Sequence, residues 1–375
     1  MYPRLLINLK KFEENVAAVA KLVKDDSGCT TLALVTKGHS ADPELVKVIV
    51  NNPKVDFVAD SRLINLRNYF TVLGDGNEEA GRKAFYDAGK KTLLLRIPMQ
   101  SELSEVVKLV DLCQISEIET IKLLNKEAEA AGKVQDILLM IDMGDLREGI
   151  FFRNKEEIHS VVSEILELKN INLKGISVNL TCYGAIIPKE DNLSEFVGIA
   201  REIEERHGIT LEIVSGGNSS SVYLAEEGRL PEGITNLRIG EVHLQGTEAA
   251  YGNRVKGTND DVFILEAEIV ELKTKPSLPI GESGMDAFGH VPHYEDKGDM
   301  KRAIIAVGKQ DIELDSMTSL DEKIEIMGGS SDHIILDVTH SETEYKVGDI
   351  VKFRLGYSGM LRATTSKFVD REYVK

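Results

Sequence analysis

The chain has 375 residues, 42% of them hydrophobic, enough to bury a large core spread over two domains. Its 62 acidic against 45 basic side chains leave a net charge of −17, which serves solubility and excludes an electrostatic match to nucleic acid or to an anionic membrane surface. No run nears the roughly twenty apolar residues of a membrane helix, and the three cysteines, Cys29, Cys113 and Cys182, lie far apart without CxxC spacing, so neither a disulfide framework nor a structural zinc site is expected.

The first residues, Met1-Tyr2-Pro3-Arg4, lead into a short apolar strand over residues 4–8 instead of a signal peptide, and a cytosolic protein with reduced thiols is expected. For about 240 residues one pattern then repeats: a short β-rich apolar run, a polar turn, and a stretch of 3.6-residue periodicity. The eight runs are 31–35, 55–59, 92–97, 111–115, 137–142, 173–180, 211–214 and 236–239. Helical stretches such as 43–50, 117–131, 155–168 and 193–206 separate them, as parallel strands require. Eight βα units predict a closed (β/α)8 barrel over 9–245. A doubly wound open sheet is the alternative, but no GxGxxG follows a first strand. Beyond residue 246 longer alternating strands appear at 263–272, 303–307, 334–338 and 350–355, with Gly-, Asp- and Ser-rich loops and hardly any helix. This predicts an all-β domain over 246–375, with the distant strand 1–8 pairing into it.

Barrel enzymes work at the carboxyl ends of their strands, so polar residues there are the candidates. Lys37 directly follows the first apolar run, where a partly apolar pocket turns a lysine into an amine nucleophile for a carbonyl; taken alone, a solvated strand-end lysine is the commoner reading. After the seventh run comes Ser215-Gly216-Gly217-Asn218-Ser219-Ser220-Ser221, and the eighth supplies Leu237-Arg238-Ile239-Gly240-Glu241. Barrels often bind phosphate with these two loops, through backbone N–H groups and a hydroxyl such as that of Ser219. Either segment by itself also suits an ordinary helix start.

A lysine after strand one, Asn-Ser after strand seven and Leu-Arg-x-Gly after strand eight together resemble the alanine-racemase family, the fold-type III enzymes of pyridoxal 5′-phosphate, over nearly the whole chain. The resemblance implies that Lys37 holds the cofactor as a Schiff base, that Ser219 and the N–H groups of Gly240 and Glu241 bind its phosphate, and that Arg238 meets the pyridine nitrogen. In Gly144-Asp145-Leu146-Arg147-Glu148-Gly149, Arg147 looks like the family's arginine near the cofactor oxygen and the substrate carboxylate. Asn179 stands where the family usually has a ring-stacking histidine. In the second domain, Ser331 and Asp332 occupy the places of the family's Met-Asp pair at the substrate carboxylate, and Val347-Gly348-Asp349 matches its Val-Gly-Asp at the start of a strand. The same resemblance implies a head-to-tail homodimer with shared active sites acting on a small-molecule amino-acid substrate.

Two departures stand out. The family's acid/base tyrosine turn is replaced by Val307-Gly308-Lys309-Gln310-Asp311, and the tyrosine four residues after the lysine is absent from Lys37-Gly38-His39-Ser40-Ala41. Both fit the ornithine-racemase branch, which Asn179-Leu180-Thr181-Cys182-Tyr183-Gly184 and Gly284-Met285-Asp286-Ala287-Phe288-Gly289 also resemble. The implied activity is amino-acid racemisation, with ornithine as substrate or, alternatively, alanine or a broad range. Lys37 would serve one face of Cα, with Lys309, Cys182 and Tyr183 as candidates for the other. The acidic loop with Glu282 and Asp286 is a candidate partner for a distal ammonium, an ordinary solvated loop being as good a reading. A cofactor-homeostasis protein normally lacks a second domain, and a decarboxylase or aldolase differs at Arg238 or needs a metal. No metal is expected, because His290 and His293 meet no ligand spacing with Glu282 and Asp286.

Overall fold

The computed structural model describes residues 1–375 except Asp286, Ala287, His290 and Pro292. It divides into two compact units, Lys11–Asp260 and Met1–Lys10 with Asp261–Lys375.

The first unit is the barrel. Strands β2 (Thr31–Val35), β3 (Phe57–Asp60), β4 (Lys91–Leu94), β5 (Leu112–Ile115), β6 (Gln135–Asp142), β8 (Ile171–Val178), β9 (Ile213–Ser215) and β10 (Asn236–Ile239) run parallel in that order, and β10 closes onto β2. A two-residue strand, β7 (Ile150–Phe151), lies beside the end of β6. The runs read as strands because they are apolar on both faces, as a parallel sheet covered by helices demands. Alternation sorts the faces: Ala33, Val35, Phe57, Ala59, Leu93, Leu112, Leu138 and Ile213 form the interior cluster, while Leu32, Leu34 and Val58 are buried under the outer helices. Among those helices, Leu9–Lys21 turns Phe12, Asn15, Val16, Val19 and Ala20 inward.

The second unit is a mainly antiparallel sheet of β13 (Met317–Ser319), β16 (Ile350–Leu355), β11 (Phe263–Pro276), β12 (Asp299–Ile305), β15 (Ile334–Asp337) and β14 (Glu325–Gly329). The opening strand β1 (Arg4–Asn8) joins it, antiparallel to β11 and parallel to β17 (Asp370–Val374), as its isolation from the barrel pattern predicts. Two features depart from the sequence expectation. The units change at Asp261 instead of residue 246, because 246–260 is tied into the barrel unit: Lys256 N donates to Glu226 Oε1 at 2.8 Å and Asn15 Nδ2 to Asn259 O at 2.9 Å. A nine-residue helix, Tyr357–Thr365, also interrupts the strands. No helix among the described residues is long and apolar enough to cross a membrane.

Candidate active site

Lys37 is half-buried and opens a single turn, Lys37–His39, directly after β2. Its predecessor is pinned: Thr36 Oγ1 lies 2.6 Å from Asp60 Oδ2 and 2.5 Å from Tyr69 Oη, with all three side chains buried. Burial pushes the Asp60 carboxyl up, against the hydrogen bonds from Thr36 and Asn65. Just past the lysine, Ser40 and Ala41 take φ of 52° and 51°, a conformation side chains rarely adopt. The backbone on both sides of the amine is therefore held by its surroundings.

Behind this turn Phe12, His39 and His243 pack edge to face, with ring centroids 5.8–6.4 Å apart. Burial, aided by His39, pushes the His243 imidazole down from 6.5 to about 3. The unfolded chain takes up this proton below pH 6.5 and the folded chain does not until about 3, so the stability is complete above pH 6.5 and is lost progressively between the two. The loss amounts to several kcal/mol, roughly 5 at its limit. Urea unfolding at pH 7 and pH 4.5 is expected to show the drop, and His243→Phe to flatten it; an equal drop in the variant would place the acid sensitivity elsewhere.

Strand alternation also places the arginine. Arg238 pairs in register with Ala33, an interior residue, and so points into the barrel, where it is 3% exposed. Its Nη1 donates to Ser215 Oγ and its Nη2 to Val178 O, the latter at 2.6 Å. With the Gln114 amide turned so that its oxygen faces Arg238, Nε donates to that oxygen at 3.1 Å and Ser177 Oγ at 2.6 Å. Ser215 also bonds to Asn236. These five residues form a polar layer inside the barrel, and no carboxylate accepts from the guanidinium among the described residues. Burial pushes Arg238 down to about 10, which still leaves it cationic at neutral pH.

The loops after β9 and β10 meet at Ser219. Its buried Oγ accepts from Gly240 N at 3.0 Å and Glu241 N at 2.9 Å, and Asn218 caps the turn Ser219–Ser221 by accepting from Ser220 N at 2.8 Å. The neighbouring Ser220 Oγ is buried without a hydrogen-bond partner among the described residues. Two convergent amides, one hydroxyl and a second, orphaned hydroxyl form a group of the kind that binds an oxyanion. Burial, with Glu248 nearby, pushes the Glu241 carboxyl up to about 7, so its charge beside the amides is reduced in neutral solution.

After β6, Asp142 Oδ1 accepts from Gly144 N and Leu146 N at 2.9 and 3.0 Å, curling the loop that presents Arg147. Arg147 donates to Glu148, and with its amide oxygen turned toward Arg147 Asn179 accepts at 3.2 Å from Nη1. The exposed Cys182 Sγ receives Asn218 Nδ2 at 3.7 Å and lies in the field of both Arg147 and Arg238. Tyr183 is exposed.

In the second unit, Lys309, Ser331 and Asp332 share one pair of loops. Lys309 N donates to Ser330 O at 2.9 Å and Gln310 N to Ser331 O at 3.0 Å. Gly308 permits the approach: a Cβ there would lie 2.3 Å from Asp332 N. Lys309 Nζ stands 4.2 Å from the centroid of the Phe288 ring, and Arg362 Nη1 donates to Lys309 O at 3.1 Å. Glu282 is exposed; Asp286 and His290 lie outside the described residues.

The chain end of nearly every barrel strand thus contributes a polar group. Sequence reasoning singled out Lys37, Arg147, Asn179, Ser219, Arg238, Gly240 and Glu241 but missed Gln114, Ser177, Ser215 and Asn236. Their signal was available, since polar residues at inward positions of otherwise apolar strands need partners inside. The Thr36–Asp60–Tyr69 triad had no such signal, because its members come from separate elements.

The family model described as alanine racemase, N-terminal domain, matches residues 7–244. The chain is 49% identical over 372 residues to the ornithine racemase of Acetoanaerobium sticklandii, with 99% of both chains covered. It is 37% identical over 373 residues to the lysine racemase of Thermotoga maritima, covering 100% of this chain and 99% of that one. Among solved structures, the alanine racemase from Streptomyces coelicolor A3(2) superposes with a TM-score of 0.72 at 15% identity, covering 99% of this chain and 97% of that one, a likeness of fold.

Proposed function

The chain belongs to the alanine racemase family and is an amino-acid racemase, and from that premise we propose that it interconverts the enantiomers of ornithine with pyridoxal 5′-phosphate held on Lys37. The observation that carries this reading is the convergence of a strand-end lysine, an oxyanion cup and a buried arginine at the carboxyl end of one barrel. These residues fit the cofactor. Ser219 with the N–H groups of Gly240 and Glu241 would hold its phosphate, the orphaned Ser220 hydroxyl adding a donor, and Arg238 would face its ring nitrogen. Arg147 would meet its oxygen and the substrate carboxylate, and Asn179 would lie against the cofactor where the family usually has a ring-stacking histidine. When bound, pyridoxal 5′-phosphate supplies the electron withdrawal that makes an amino acid's Cα proton removable.

The remaining chemistry falls to the chain itself. With the cofactor bound, the Lys37 amine would be the group that takes or returns the Cα proton on one face. Arg238 keeps its own proton, so it would leave the ring nitrogen of the bound cofactor unprotonated, an arrangement that favours racemisation over side reactions. Ser331 and Asp332 would add contacts to the carboxylate. For the opposite face we propose Lys309, with Cys182 and Tyr183 as alternatives. In Lys309→Ala, assayed in deuterated water from each enantiomer, one direction is expected to lose solvent exchange at Cα while the other retains it. Symmetrical slowing would make Lys309 a charge partner.

Ornithine and lysine, the amino acids in the two relatives' names, both end in an ammonium group, and a desolvated ammonium needs an anionic partner. The acidic loop bearing Glu282 is proposed for that role. We further propose a cytoplasmic homodimer with shared active sites; the free thiols Cys29, Cys113 and Cys182 accord with a reducing compartment. Chiral chromatography of reactions started from ornithine, lysine and alanine tests the substrate. A preference for ornithine over alanine of about tenfold or more in kcat/KM is expected; a preference for alanine would overturn the assignment.

A further inference from the structure

We propose that Asp145 is a positioning residue of this site: its buried carboxylate clamps the 182–186 segment onto the loop bearing Arg147, and so sets Arg147 toward the substrate. The proposal rests on the racemase reading above. Asp145 is 1% exposed, and among the described residues no cation forms an ion pair with it. Its carboxylate instead accepts three backbone N–H groups from a different loop: Cys182 at 3.4 Å, Tyr183 at 2.9 Å and Ile186 at 3.2 Å. A buried carboxylate is costly unless its lone pairs are met, and here main-chain amides alone meet them.

The surroundings are built for this contact. Gly184 lies against the Asp145 backbone, where a Cβ would come within 2.8 Å of Asp145 O. Leu146, Thr181 and Ala185 take φ of 57°, 58° and 52°, left-handed conformations that persist only where neighbours over-determine them. The clamped segment begins three residues after Asn179, and Asn218 Nδ2 holds its near end by donating to Leu180 O at 2.9 Å. Asp145 itself stands two residues before Arg147, and its charge acts on that guanidinium. One carboxylate therefore ties the loop that carries Arg147, the proposed carboxylate-binding group, to the segment that follows Asn179, while Ser219, Gly240 and Glu241 belong to the loops after other strands.

The test uses the cofactor-loaded enzyme with two variants. Asp145→Asn keeps the shape but turns an amide N–H2 toward backbone donors; Gly184→Ala pushes the segment away with the carboxylate intact. In both, hydrogen exchange at the amides of Cys182, Tyr183 and Ile186 is expected to accelerate at least about tenfold, with Ile176 in β8 unchanged. KM for ornithine is expected to rise about tenfold or more, while cofactor affinity stays within about threefold. Accelerated exchange with unchanged kinetic constants would overturn the positioning role, as would unchanged exchange. Parallel losses of cofactor affinity, melting temperature and activity would reduce Asp145 to a structural anchor. An unsubstituted enzyme that racemises no amino acid would sink the racemase reading, and the exchange rates would still decide whether Asp145 holds the segment.

Discussion

Lys37→Ala is expected to lower turnover of every amino acid by at least about 10⁴-fold, the scale on which enzymes lose a covalent nucleophile that also moves the proton. The two roles reside in one amine, so no second residue can restore one without the other. Lys37 lies between the pinned Thr36 and the left-handed Ser40 and Ala41, just past the end of β2. The same variant is expected to lose the near-visible absorbance of the cofactor-loaded protein, and borohydride is expected to fix a label to Lys37 in the unsubstituted chain. Racemisation retained by the variant without added amine would refute the assignment.

Arg238→Leu is expected to separate stability from function. Burial, the largest cause, with Arg147 adding to it, pushes this guanidinium from 12.5 to about 10, equivalent to about 3 kcal/mol against the charged form. Leucine relieves that penalty but leaves Val178 O, Ser215 Oγ and the Gln114 amide short of a donor, at about 1–3 kcal/mol for each group left unpaired. The two effects oppose each other, and replacing a buried charge by an apolar side chain is often close to neutral. The cofactor-free variant is accordingly expected to melt within a few degrees of the unsubstituted protein, whereas kcat/KM should fall by about 10²-fold or more. Thermal unfolding beside steady-state kinetics checks both halves. A collapsed melting temperature would make Arg238 a structural residue, and unchanged kinetics would remove it from the ring nitrogen.

Much of the architecture was legible in advance because it depends on local pattern. Eight apolar runs separated by helical periodicity suffice to predict the barrel, and the run 4–8, which precedes the first barrel helix, pairs with the distant β domain as expected. Strand limits moved by a few residues, as at β3, which begins at Phe57 instead of residue 55. Short strands such as β13, β14 and β17 carry no such pattern. Their alternation is brief, and long-range partners decide whether they pair.

For the site, the sequence by itself determined which polar residues lie late in or just after apolar strands and therefore crowd one end of the barrel: Lys37, Arg147, Asn179, Ser219 and Arg238 all come from chain positions that the strand-helix repeat puts there. Only the tertiary structure decided what each of them touches. Closure of β10 onto β2 turned Arg238 inward onto Ser215 and Gln114, the meeting of two loops brought Ser219 beneath the amides of Gly240 and Glu241, and Asp145 found its three donors 37 to 41 residues further along the chain. Alternation and periodicity are properties of neighbours in sequence, whereas a buried charge is satisfied by whatever groups the closed fold brings within about 3 Å of it, and that distance exists only after folding.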